Sequence, residues 1–156
     1  MTSVSRKQFE SFVTEGIAAI PEKFRSLIKN VAFLVGDRPT LKQRRQNNLR
    51  TGETLLGLYE GIPRTARGEE YGGLALPDRI TIFRQPIEQA ARDEIMGQSN
   101  NKRSFVIAES GELLRERVRQ IVMDTVWHEV AHHFGLDEAA VKRREVERGE
   151  RTETGF

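Results

Sequence analysis

The chain contains no cysteine. Disulfides and thiolate chemistry are therefore excluded, and a bound metal would have to be held by His, Asp or Glu. It also lacks a long hydrophobic run. The N-terminal stretch MTSVSRKQFESFVTEGIAAIPEKF has none long enough for the apolar region of an export signal, and no segment approaches membrane-spanning length. The expected compartment is the cytoplasm, with no membrane partner. Charge of one sign is missing too. Lys and Arg number 25 against 23 Asp and Glu, a formal charge of +2. That balance argues against a dedicated nucleic-acid binder, which concentrates basic charge. No internal repeat is present. Histidine is scarce, with 3 in the whole chain, and all of them fall in HEVAHHFGLDE, residues 128–138.

What remains suits a single domain. The 156 residues are 37% hydrophobic before glycine is counted and 31% charged, near the globular norm and long enough to bury a core. The apolar spacing of Phe9, Phe12, Val13, Ile17 and Ala18 predicts an amphipathic helix over 5–19. Pro21 starts a second, short helix with Phe24, Leu27 and Ile28 on one side. VAFLVGD (31–37), bounded by Asn30 and Gly36, predicts a buried strand. RPTLKQRRQNNLR (38–50) reads as a loop or a loose surface helix. TLLGLYEGI (54–62) reads as a glycine-interrupted strand, 63–73 as a long loop, and RITIFR (79–84) as a third strand. A helix over 86–95 and a loop over 97–104 follow. Ser110 is placed to cap the next helix, with Glu112 in its first turn. The segment 138–146 is expected to form a short C-terminal helix, and the polar residues 148–156 to fray.

The longest helical pattern covers 112–134. In its first half, Leu114, Val118, Ile121 and Val122 form a one-sided stripe. In its second half, Met123, Val126, Trp127, Val130, Ala131 and Phe134 fill a wide arc opposite His128 and His132. A helix apolar on all sides but one runs into a domain interior. The two histidines stand on its one polar wall, and buried polar groups need partners.

His128 and His132 are four apart, so their imidazoles project side by side and can share one metal ion. Glu129 is rotated far enough to miss the ion yet reach a water polarised by it. This is the mechanical content of H-E-x-x-H on a helix. The metal lowers the pKa of its water toward about 7, and Glu129 would move the proton as general base. Gly135 can end the helix and turn the chain sharply, bringing residues 137 and 138 back toward the histidines. Either Asp137 or Glu138 would complete three protein ligands. The spacing favours Glu138, ten residues after His128, while Asp137 suits the N-cap of the following helix.

Neighbouring residues carry plainer readings. His133 is expected to pack or support rather than ligate. Asp124 reads equally as a buttress for a ligand or as an ion-paired acid. Lys42, Arg44, Arg45 and Arg50 read as a solvated stretch, with no aromatic interleaving to suggest nucleic acid. Tyr59 and Tyr71 are the candidate oxyanion donors, with nothing in the sequence to place either near the metal.

Taken together, FESFVTEGIAAIPEKF, NVAFLVGDRP, LLGLYEGIP, LPDRITIFR and VWHEVAHHFGLDE resemble the small bacterial zincin-like metallopeptidases, the minimal zincins, over residues 8–142. The resemblance implies an α+β fold: N-terminal helices, a small mixed sheet, a long active-site helix and a short C-terminal helix, all in one domain over 1–156. It implies one zinc per chain on His128 and His132, Glu129 as general base, Glu138 as third ligand, and peptide or protein as substrate. No methionine follows the motif, so the Met-turn of true metzincins is absent. In larger zincins an edge strand binds the substrate backbone, and 79–84 is the candidate for it. Only 21 residues follow Gly135, which predicts a shallow cleft. The competing functions are a metal-dependent RNA hydrolase with H-x-x-x-H-x-x-G-x-x-H, which lacks the glutamate found here as Glu129, and a metal-stabilised interaction module without catalysis.

Overall fold

A computed structural model of the chain describes residues 3–61, 77–98 and 110–134. The expected loop over 63–73, the C-terminal helix and the tail lie outside these residues.

The first helix, α1 (Arg6–Ala18), starts at Ser5, whose hydroxyl accepts from the Gln8 amide while the Gln8 side chain accepts from the Ser5 amide. This reciprocal box satisfies two backbone donors that would otherwise lack partners. Pro21 precedes α2 (Glu22–Arg25), a single turn. Because α2 stops at Arg25, Leu27 falls beyond it and is 60% exposed, contrary to the expected apolar face. Phe24 and Ile28 do pack on the core. Strand β1 (Val31–Gly36) follows Asn30, whose φ of 57° is one that Asn tolerates better than most residues. The basic stretch holds a true helix, α3 (Leu41–Gln46), with Thr40 and Gln43 forming a second capping box.

Strand β2 (Gly57–Glu60) is shorter than expected: Gly57 begins it rather than interrupting it. Strand β3 (Asp78–Phe83) leads directly into α4 (Arg84–Gln98). The long helix α5 spans Ser110–His133, about 36 Å at 1.5 Å per residue. Ser110, expected as its cap, is itself helical. No helix among the described residues is long and apolar enough to cross a membrane.

The sheet has the order β1-β3-β2, with β1 parallel and β2 antiparallel to β3. The architecture is α+β, with the small mixed sheet that was expected. One assignment is corrected. The run 79–84, the expected edge strand, corresponds to β3, which is central and hydrogen-bonded on both sides. Its residues Ile80, Thr81, Ile82 and Phe83 are all buried, as a strand covered on both faces requires. The edge nearest the histidine helix is β2.

Register puts Phe33, Ile80 and Tyr59 side by side, and Val35, Ile82 and Gly57 beside one another. This face meets α5. The core joins it to Phe9 and Val13 of α1, Ile87 and Ala91 of α4, and Val118, Val122, Val126 and Val130 of α5. These four valines recur every fourth residue, and all are fully buried. Phe24 packs edge-on to Trp127 with ring centroids 5.4 Å apart. An ion pair from Arg119 to Glu15, 2.6 Å long, ties α5 to α1. Hydrogen bonding to Glu15, and then its charge, hold that guanidinium more firmly protonated than usual. At the other end of the chain, the Val4 amide donates to buried Glu88 at 2.7 Å, seating the N-terminal segment on α4.

Candidate metal centre and cleft

The helical spacing does what it predicts. The Nε2 atoms of His128 and His132 lie 3.2 Å apart, their ring centroids 4.8 Å apart with planes inclined at 74°. At this separation either one ring donates to the other or both lone pairs meet a common cation. The pair fits a common cation. Two imidazoles on one tetrahedral zinc, each at about 2.0–2.1 Å, hold their nitrogens about 3.3 Å apart. Both rings are part-buried, on the polar wall expected for them.

Among the described residues no group of three or more His, Asp or Glu gathers where it could hold an ion. A third protein ligand would come from elsewhere. Gly135, Asp137 and Glu138 lie outside the described residues.

Glu129 is 8% exposed and sits between the helix and strand β2. Together with His128 and Asp124 it lines a cleft of about 440 Å³. Thr54–Gly57, the segment that leads into β2, also lines it. The far end of the cleft holds Arg117 of α5 and Glu94 of α4, joined as an ion pair.

His133 turns away from this cleft. Its Nδ1 is 3.4 Å from the Tyr59 hydroxyl and 3.4 Å from Asp78 Oδ2. The Tyr59 hydroxyl donates to the same carboxylate oxygen at 2.6 Å. Asp78, 6% exposed, thus ties two strands to the last residue of α5. Tyr59, a candidate oxyanion donor, directs its hydroxyl into this knot. Tyr71 lies outside the described residues. In the basic stretch, Arg44 donates to the carbonyls of Glu53 and Arg50 at 2.8 and 2.9 Å. Its guanidinium therefore braces the loop before β2.

Three residues of the site went unnoticed in the sequence: Gly57, Thr125 and Asp78. Thr125 is buried one turn before Glu129, and its hydroxyl donates to the Ile121 carbonyl at 2.7 Å. A glycine opening a strand is the one available signal among the three, since it marks a place where another group comes close.

An α+β domain that sets a paired-histidine helix against a sheet edge, with a buried glutamate between them, defines a candidate metallohydrolase. The chain belongs to the zincin-like metallopeptidase family, whose model matches residues 28–100 and 104–148. The match includes β1 to β3, α4 and α5 and excludes α1, although the resemblance was read from residue 8. No curated protein matches the chain. Family membership makes a metal-dependent peptidase the class of activity to expect, with zinc as its metal.

Proposed function

We propose that the chain is a zinc-dependent peptidase in which His128 and His132 hold the ion and Glu129 is the general base. The observation that carries this reading is the 3.2 Å approach of the two Nε2 atoms beside a buried glutamate at the wall of a cleft. Glu138 completes the ligand set, with Asp137 as the alternative. Both are carboxylates, which suit zinc as His does.

When bound, zinc would supply Lewis acidity, making hydroxide available near neutral pH. The chain's own residues do the rest. Glu129 accepts a proton from the attacking water and returns it to the leaving amine, a role generally worth about 10²–10⁴-fold. Its burial strengthens each electrostatic contact it makes. Among the described residues β2 pairs with β3 alone, so its other edge can receive an extended peptide by strand addition. Gly57 at the start of β2 lines the same cleft as Glu129 and His128, which supports a reading in which a peptide carbonyl lies beside the base. The substrate is therefore peptide or protein in extended form, cut internally.

The test is incubation of the zinc-loaded protein with unfolded casein and, separately, with RNA. Casein cleavage that stops with a chelator and is absent in Glu129→Gln is the expected result. Cleavage of RNA alone would overturn the reading in favour of a nuclease. Cleavage of neither, with zinc bound, would make the metal structural.

A further inference from the structure

Strand β2 runs alongside α5 and meets it at two places. Tyr59 meets His133 through the Asp78 knot. Two residues earlier, Gly57 meets Thr125 and Glu129. Two strand residues span about 6.6–6.8 Å, and the four helix residues from 129 to 133 span about 6.0 Å. The two elements therefore stay in step across one helical turn, and Tyr59 fixes which strand residue faces Glu129.

That residue has no side chain. A Cβ at position 57 would lie 2.7 Å from Thr125 Cγ2, 3.1 Å from Glu129 Cγ and 3.3 Å from the Thr81 carbonyl oxygen. Backbone conformation is not the reason for glycine here. Among the described residues only Asn30, Asn48 and Gly52 have positive φ. The requirement is for space.

The surroundings cannot yield equally. The Thr81 oxygen belongs to the central strand. The Thr125 rotamer is held by its 2.7 Å bond to the Ile121 carbonyl, which leaves its methyl toward Gly57. The Glu129 stem is the softest neighbour. If the helix gives instead, it carries Glu129 with it. The three atoms nearest to such a Cβ include neither imidazole.

We propose that Gly57 is a positioning residue: its bare backbone is the seat for the Glu129 stem and sets where that carboxylate stands. The functional part of this inference rests on the assignment of Glu129 as general base. The seat itself is a packing statement and can be tested without activity.

The experiment uses the full chain, as Gly57→Ala, Thr125→Ser and the double variant. Serine keeps the hydroxyl that bonds Ile121 and removes the methyl. Three quantities are measured: zinc affinity by competition with a chromophoric chelator, kcat and KM on a casein-derived peptide, and Tm. Gly57→Ala should leave zinc affinity and KM within roughly threefold while kcat falls roughly 10- to 100-fold, the scale of a displaced catalytic group. The double variant should recover most of that kcat. Gly57→Ala should also lower Tm, and the loss should shrink in the Thr125→Ser and Glu129→Ala backgrounds. An unchanged kcat, a loss of zinc parallel to the loss of activity, or no recovery in the double variant would overturn the assignment. If the wild type binds zinc yet cleaves no peptide, the peptidase reading fails and Tm alone decides the seat: equal losses in all three backgrounds would refute it.

Discussion

Two adjacent histidines, His132 and His133, differ in what they face, and this yields a sharp contrast. His132 Nε2 lies 3.2 Å from His128 Nε2. His133 Nδ1 lies 3.4 Å from Asp78. If the first pair holds zinc, the ion binds the folded chain and stabilises it by mass action. Zinc at a hundred times its dissociation constant adds about 2.7 kcal/mol. In a chain of 156 residues, each kcal/mol moves Tm by about 2–4 °C, so zinc should raise Tm by roughly 5–11 °C. His132→Ala leaves one imidazole and one carboxylate, a two-ligand site, and the rise should vanish. His132 is part-buried, so its truncation should cost the metal-free fold little. His133→Ala should do the reverse: it lowers the metal-free Tm by breaking the Asp78 knot and keeps the zinc-induced rise. The assay is thermal unfolding followed by circular dichroism, with and without zinc and then with chelator, with elemental analysis to count the ion. A full zinc-induced rise in His132→Ala, or its loss in His133→Ala with the rise retained in His132→Ala, would refute the pairing of His128 with His132.

Three further outcomes are expected. Glu129→Gln should keep the zinc-induced Tm rise and lose peptide hydrolysis by about 10²–10⁴-fold; equal turnover in the two proteins would remove Glu129 as base. Tyr59→Phe gives up a 2.6 Å hydrogen bond to a carboxylate, worth about 1–2 kcal/mol at a part-buried site, and thermal unfolding should show a Tm lower by roughly 2–8 °C. An unchanged Tm would mean that this bond contributes nothing net. Glu138→Ala should weaken zinc binding sharply in a titration, whereas Asp137→Ala should mainly lower stability by about 1 kcal/mol through loss of a helix cap; the opposite pattern would exchange the two roles.

The histidine pair was legible because a helix is a local constraint. Residues 128 and 132 are neighbours on any α-helix, and the spacing of Val118, Val122, Val126 and Val130 announces that helix and its buried side. Position within the sheet is not local, and there expectation and structure differ. ITIF at 80–83 is apolar or β-branched throughout, the mark of a strand covered on both faces. The analogy with larger zincins points instead to an edge strand, and the structure overrides it. GLYE at 57–60 is short, opens on glycine and ends on a charge, which are the features edge strands carry. Composition could therefore have ordered the two strands, although it could not show that Ser110 lies inside α5 or that Leu27 lies outside α2. Those boundaries turn on single residues, where propensity is weakest.

The seat of Glu129 belongs to a different category. It needs residue 57 to meet residues 125 and 129, and the register that brings them together is set by Tyr59, Asp78 and His133 from three separate segments. Of these six positions only Glu129, within its motif, and Gly57, opening a strand, carry a signal of their own; a threonine in a helix and an acid before an apolar run occur without consequence. The two proposed metal ligands and the proposed base thus depend on different things. The histidines hold their spacing as long as α5 is helical. Glu129 is placed by the helix in direction but by the strand in depth. A substitution in β2 should then separate the two functions, leaving an ion held by an intact helix beside a base out of position. Damage to α5 itself would take both together.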